Sequence, residues 1–577
     1  MKNSKFFYST IMLCALILTG CKQGSYEVDK WDEQVDTNRT QIYVHNYEGG
    51  FGSEWLKNAK MEYEKIHAEE EYEPGKKGVQ IMIKADKNTF QPSSLKISSY
   101  DLFFLQESKA YSFYKAGAIE DIDEAITGDN PYEPGVTIES KLTDAQKDFF
   151  KEDGKYYGLS HYVGSWGLSF NKTIFDQQGF YFVRNHQNKE GELKFIRSYD
   201  DFDPATPNSV PKSIGRDGVE GTSDDGLPET YQDFYDLCDF IASYNYTPFT
   251  FSSKQKDTYV TSFVNALFMD ALGIDEANKL YNYGLNGVTF NNLIKIDTAA
   301  NSNKGLVIKS GEEYAKENGV LVSDQLGNGY EIYRNEKYLQ VLKFMETILT
   351  TKKDNDSSSP KYFPKEIITG GATYDYQSAQ RSMVQSSSKT TMIIEGQWWE
   401  NEAKPIASKF GTSYDFSWMP LPRNSREENH KNVYIDTMDC VAVVRKGTTK
   451  RSIALDFIQF VSTKENLINF TKTTNAVKGL DYNFTSQEEV DELKQSLTNF
   501  GKTVLEYRLN PDLLLSDSKN EQFQKNLYAN NAYRRYYSTY AEMPITALMK
   551  NWTSGGVTAE EYFAGTYTHY KNTWVAK

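Results

Sequence analysis

Cationic side chains are in short supply in this chain: 64 lysines and arginines stand against 79 aspartates and glutamates, a formal charge of −15. A surface that acidic excludes nucleic acid and anionic lipid as extended electrostatic partners. The four cysteines form no CxxC pair and no Cys/His cluster, so no zinc site is expected. No internal repeat of fixed period is found, and beyond the N-terminus no apolar run approaches the roughly 18–20 residues a spanning helix needs. Nucleophile-elbow, HExxH, P-loop and GxGxxG fingerprints are also missing. What is plentiful is tyrosine, 41 residues against 33 phenylalanines, which favours rings with one wet end, as at interfaces and in wet clefts.

The N-terminus reads as an address. Lys2 and Lys5 precede thirteen residues, Phe6 to Leu18, that are apolar except at Ser9 and Thr10. That is too short to span a bilayer and right for the apolar region of a signal peptide, expected over 1–20. Leu18-Thr19-Gly20-Cys21 resembles the lipobox of bacterial lipoproteins, which implies acylation of Cys21 and cleavage just before it. More than one acyl chain gives stable anchoring at about 0.8 kcal/mol per buried CH₂. Residues 21–38 are polar and aperiodic, and read as a flexible membrane tether. Loss of Lys2 and Lys5 takes the charge from −15 to −17. Cys238 and Cys440 then remain, each among apolar neighbours. They read as two separate buried thiols, with a disulfide as the alternative.

About 540 residues are left for the body, enough for two large domains or three to four ordinary ones. Gln41 to Tyr47 has strand composition, Gly49-Gly50-Phe51-Gly52 breaks it, and Ser53 is placed to cap a helix with Trp55, Ala59, Tyr63 and Ile66 on one face. Val79 to Ala85 and Tyr100 to Leu105 read as further strands. Strands alternating with helices predict an α/β fold with a largely parallel sheet, in which ligands sit beyond the carboxyl ends of the strands. That places His45, Asn46, Tyr47, Glu48, Gln106, Glu107 and Ser108 around one crevice. Further on come a YGLS segment at 157–160, an alternating strand at 166–172, and a helix from Thr230 with Asp233 at capping-box spacing and a Phe234, Leu237, Cys238, Ile241 stripe. A strand ending at Gly396, the segment Trp418 to Pro422, a strand at 439–444 and a helix at 452–461 complete the series.

In this order, and behind a lipobox, these pieces resemble the extracellular solute-binding proteins of bacterial ABC sugar importers, family 1, which includes maltose- and oligosaccharide-binding lipoproteins. The likeness covers roughly residues 40 to 480, with extra material near 181–227, 280–335 and after 480. It implies a two-lobed, periplasmic-binding-protein-like α/β fold with sugar in a cleft between the lobes. Lobe one would take 39–162 plus 436–480, and lobe two 163–435 plus 481–577. The partners implied are a carbohydrate, of the oligosaccharide class, and the membrane subunits of an ABC permease. The chain would be a monomer tied by lipid to the extracytoplasmic face of the cell membrane, with no catalytic residues and no required cofactor.

The pair Trp398-Trp399 follows the predicted strand at 392–395, so neighbouring side chains there point different ways. The resemblance makes Trp398 the ring that stacks on a sugar face and Trp399 a packing residue. Asn46, Glu48, Gln106 and Glu107 offer amide and carboxylate groups for vicinal hydroxyls, or are solvated loop residues. Tyr162 and Trp166 flank the crossing between lobes as ligand or core residues, Trp418 reads as core, and Asp436 and Asp439 border the return crossing as hinge or ligand carboxylates. Asp217, Glu220, Asp224 and Asp225 lie in a glycine-rich loop whose hard oxygens suit a structural calcium, as in some relatives; an acidic turn without metal is the competing reading. Two other functions compete with the importer component: a lipid-anchored glycan-degrading enzyme, which needs paired carboxylates across a cleft, and a helical-repeat surface glycan-capture lipoprotein, which should open with helices.

Overall fold

The computed structural model describes residues 31–574 except 107–109, 163, 207–208, 282–286, 301–303, 324, 386, 388, 412, 427–432, 437–439, 510–511 and 516–542. The signal peptide and Cys21 lie outside the described residues, as do Glu107 and Asp439.

The elements that build the cleft are, in chain order, β1 (Thr40–Tyr47), α1 (Glu54–Ile66), β2 (Val79–Asp86), β3 (Leu102–Gln106), β4 (Leu159–Tyr162), β5 (Trp166–Asn171), α2 (Tyr231–Ser243), β6 (Thr247–Thr250), α3 (Lys256–Leu272), α4 (Glu336–Thr350), α5 (Tyr376–Val384), β7 (Thr390–Gly396), α6 (Trp399–Phe410), β8 (Phe416–Met419), β9 (Cys440–Val444), α7 (Arg451–Val461) and α8 (Lys464–Thr474). They are joined near the C-terminus by α9 (Asn499–Leu509) and α10 (Ala559–Thr573).

They make two sheets. The first has the order β2-β1-β3-β9-β4, the second β6-β7-β5-β8. In the first, β1 pairs in parallel with β2 and β3, and β9 runs against both β3 and β4. In the second, β6 and β7 are parallel and β5 runs against β7 and β8. The expected parallel sheet is therefore mixed, and the cause is topological. A strand that passes directly from one lobe to the other enters the second sheet from the edge where its other strands end, so it must run opposite to them. β5 follows β4 this way after residues 163–165, and β9 enters the first sheet on the return, after β8 and the intervening strand Val433–Asp436. Every other strand points its carboxyl end at the seam, where α/β sheets hold ligands.

Period-two alternation divides the second sheet into two faces. Leu168, Phe170, Met392, Ile394 and Met419 join a core with α2, α3, α4 and α10, whereas Ile393, Phe416 and Trp418 face α5, α6 and α9. The first sheet buries Ile42, Val44, Ile81, Ile83 and Phe104 among residues of α1, α7 and α8. In α7 the predicted face Ala454, Phe457, Ile458 and Val461 is buried throughout. In α1 the buried stripe is Trp55, Leu56, Ala59, Lys60 and Tyr63, while Ile66, expected on it, is 55% exposed at the last turn.

Other local expectations fare unequally. The box at the start of α2 forms as read: the Thr230 hydroxyl accepts from the Asp233 amide (3.1 Å) and Asp233 accepts from the Thr230 amide (3.0 Å). Ser53 makes no cap; its hydroxyl donates to Glu48 (3.2 Å). Of the stretch read as a tether, Trp31 onward is bound to lobe one, where Trp31 packs on Tyr43 and Asp32 and Glu33 pair with Lys60 at 2.9 and 2.6 Å. In the insertion at 280–335 short antiparallel strand pairs recur, from Val288–Phe290 with Val320–Val322 to Lys309–Ser310 with Glu313–Tyr314. Cys238 is a free, buried thiol.

Candidate ligand-binding cleft

The glycine turn after β1 and the end of β7 meet across the seam. Gly50 has φ +60° and Gly52 φ +72°, left-handed conformations that glycine adopts without steric cost. A Cβ on Gly50 would lie 2.7 Å from Trp398 Cβ, and one on Gly396 would lie 2.2 Å from the Trp398 ring. The Trp398 indole thus rests between two positions where only hydrogen fits. Trp166 stands edge-on to it at 4.9 Å and 85°, and Tyr259, from α3, packs on Trp166 at 4.7 Å. Both indoles keep a partly exposed surface.

Trp399 has no exposure; its ring sits 4.9 Å from Phe416 and 6.3 Å from Phe500. Gln397, between strand and helix, is buried and ties β7 to the crossing. Its amide donates to the Ser165 carbonyl (3.1 Å), and its side-chain oxygen accepts from the Ser165 amide (3.2 Å). The start of α6 then reaches the opposite lobe, where Asn401 Nδ2 donates to the Gly50 carbonyl (3.2 Å) and Glu402 lies 3.6 Å from Lys87, just past β2.

The same strand end carries a polar cluster that the sequence did not single out. Glu395 is 1% exposed and Gln380 fully buried. Gln380 donates to Glu402 (3.0 Å). Glu395 Oε2 and Gln380 Oε1 have no hydrogen-bond partner among the described residues. Burial, and then the neighbouring Glu402, push the Glu395 carboxyl well above the ordinary carboxylate range. Burial and the nearby Glu395 likewise raise the Tyr259 phenol. Nothing in EGQWWENE distinguishes a buried carboxylate from a solvated one, and Lys87, Tyr259 and Gln380 come from distant segments without a motif.

The other predicted residues are scattered by comparison. Asn46 is 1% exposed because β1 continues to Tyr47; its amide donates to the Tyr47 and Gly52 carbonyls (3.3 Å each) and so holds the glycine turn. His45 is buried inside the same strand, 3.0 Å from Asp86. Glu48 is exposed, and Gln106 is half-buried at the end of β3. Tyr162 is 3% exposed and packs 4.7 Å from Phe51, in the core beneath the turn. Asp436 ends a strand, Val433–Asp436, that pairs with Asp512–Leu515. Trp418 is 2% exposed, as expected of a core ring.

The carboxylates of the acidic loop serve the loop itself. Asp224 accepts from the Asp217 amide (2.9 Å) and the Thr222 hydroxyl (2.7 Å), Asp225 accepts from the Gly221 amide (2.8 Å), and Glu220 pairs with Arg184. Burial, with Asp217 adding repulsion, pushes Asp224 up to about 6. Among the described residues the only His, Cys, Asp or Glu trio within reach of one ion is His186, Glu229 and Asp233. There the Arg426 guanidinium already serves as the cation, 3.1 Å from Glu229 and 2.7 Å from Asp233. Among the described residues no three of the four loop carboxylates come within reach of one ion, and calcium at this loop stays a proposal.

The family of bacterial extracellular solute-binding proteins matches residues 83–479 of the chain. The chain belongs to that family. No curated protein sequence matches. Among solved structures, the solute-binding protein RafE in complex with raffinose is 12% identical, with a TM-score of 0.51 over 93% of this chain and 100% of that one. The apo form of RafE from Streptococcus pneumoniae is 12% identical, with a TM-score of 0.50 over 94% and 100%. A structure from work on xylan utilization by Caldanaerobius polysaccharolyticus is 12% identical, with a TM-score of 0.51 over 92% and 99%. At that identity the likeness is one of fold, and it defines a two-lobed solute-binding architecture. Membership of an extracellular family places the chain outside the cytoplasm.

Proposed function

We propose that the protein is the carbohydrate-binding component of an ABC importer, which closes on an oligosaccharide at the Trp398 seam and passes it unaltered to a membrane permease. The observation that carries this reading is the partly exposed Trp398-Trp166 pair at the end of β7, where the buried Glu395 and Gln380 and the half-buried Glu402 also gather. Aromatic faces match the C–H faces of sugars, and buried acceptors without partners match hydroxyl donors. A neutral Glu395 carboxyl can both donate and accept, which suits a hydroxyl better than an ion. The structural likeness to a raffinose-bound protein supports the same ligand class.

Tethering by lipid at Cys21 and a monomeric state belong to this proposal. Among the described residues no helix is long and apolar enough to cross a membrane. A thermal-shift screen of mono- and oligosaccharides, with amino acids and peptides as comparators, tests the ligand class. A ligand at a hundred times its Kd adds about 2.7 kcal/mol of stability. Stabilisation by a saccharide is expected, and stabilisation by peptides alone would refute the class.

A further inference from the structure

The geometry points to Lys87 and Glu402 as a positioning pair, an electrostatic latch between the lobes that sets how readily the cleft closes. The inference rests on the two-lobed closing mechanism proposed above and goes beyond it in assigning the pair that biases closure. Lys87 follows β2 on one side of the seam, and Glu402 lies in the first turn of α6 on the other. Their charged groups are 3.6 Å apart, with Lys87 55% and Glu402 16% exposed.

Each partner is held from its own side. Glu402 accepts from the buried Gln380 of α5 and interacts with the buried Glu395 on β7, so Lys87 is a cation set beside two neighbouring carboxyl groups. Lys87 also lies 5.6 Å from the centre of the Tyr376 ring, a second contact across the seam. Glu402 raises the lysine's affinity for its proton against the opposing effect of burial, so Lys87 stays charged. The hydrogen bond from Asn401 to the Gly50 carbonyl is the neutral companion of this pair and fixes the lateral position of α6.

A half-exposed ion pair is a weak tie. Weakness suits the role: an apolar contact of similar size would hold the lobes shut, whereas this one biases the equilibrium and still lets ligand in and out. Because the pair joins the two sides of the seam without any ligand present, its loss should act on closure in the ligand-free protein as well as on affinity.

The test is small-angle scattering of the ligand-free protein, read as the ratio of closed to open forms, on the wild type, Lys87→Glu, Glu402→Lys and the double swap. Each single reversal should lower that ratio by about three- to tenfold, and the double swap should restore most of it. An unchanged scattering curve for Lys87→Glu would overturn the assignment, as would a double swap no better than either single variant. The scattering needs no ligand, so it stands apart from the sugar screen. Should Lys87→Glu weaken a saccharide found in that screen while leaving the ligand-free curve alone, Lys87 contacts the ligand and is not a latch.

Discussion

Trp398 and Trp399 share a peptide bond but not an environment: Trp399 is sealed against Phe416 and Phe500, whereas Trp398 spans the gap to Gly50. The position of the pair at a strand exit predicts that the two rings diverge, but it is the resemblance to the solute-binding family that singles out Trp398 as the ring facing a ligand. Buried charge was not readable. Asp224 looks in sequence like any residue of an acidic turn, yet it is 2% exposed and pushed up to about 6. Its folded value lies above the unfolded one near 3.8, so it opposes folding. The penalty sets in as pH rises above the unfolded value and is complete once pH passes about 6. At neutral pH it amounts to up to ~3 kcal/mol. Asp224→Asn should therefore raise the melting temperature at pH 7 by a few degrees and have little effect at pH 4. A lower melting temperature at pH 7, reproduced by adding chelator to the wild type, would instead mean that Asp224 holds a cation.

Strands and helices with strong periodicity were legible nearly to their ends. The observed bounds of β1, β2, α2 and α7 follow the hydrophobic spacing, and the Thr230-Asp233 box forms as written. The failures lie where a competing partner came from elsewhere in the chain. Ser53 gives its hydroxyl to Glu48, and the last turn of α1 leaves Ile66 in solvent because the buried stripe follows Leu56 and Lys60. The glycine turn after β1 shows what local reading can and cannot give: the break was plain, its contact with Trp398 was not. Gly50→Ala places a methyl group on a left-handed residue and into the Trp398 side chain, so it should cost about 1–2 kcal/mol of stability. Differential scanning calorimetry checks this. A variant as stable as the wild type would show that the turn and the indole do not meet as described.

The two-lobed arrangement was accessible through the family resemblance that the order of the pieces carries, whereas the periodicity of the residues gives only an α/β body. The direction of the crossing strands was not accessible, since periodicity carries no sign. The insertions and the C-terminal region were equally opaque: α9 lays Phe500 against Trp399 and Trp418, while α10 buries Tyr562, Phe563 and Tyr570 in the core of the second lobe. Such long-range packing depends on surfaces that exist only after the sheets form. Among the described residues the seam between the two sheets is faced by strand ends from both sides and crossed by Trp398, Asn401 and the Lys87-Glu402 pair.

The central claim is that a saccharide is held, unchanged, on Trp398 within that seam. Calorimetric titration of the best saccharide from the screen into wild type and Trp398→Ala, with the recovered sugar weighed by mass spectrometry, tests it most directly. The expected result is saturable binding to the wild type, affinity weakened about five- to tenfold or more in the variant, unchanged ligand-free melting temperature, and sugar recovered intact. Equal affinity in the two proteins, or a sugar recovered cleaved, would contradict it.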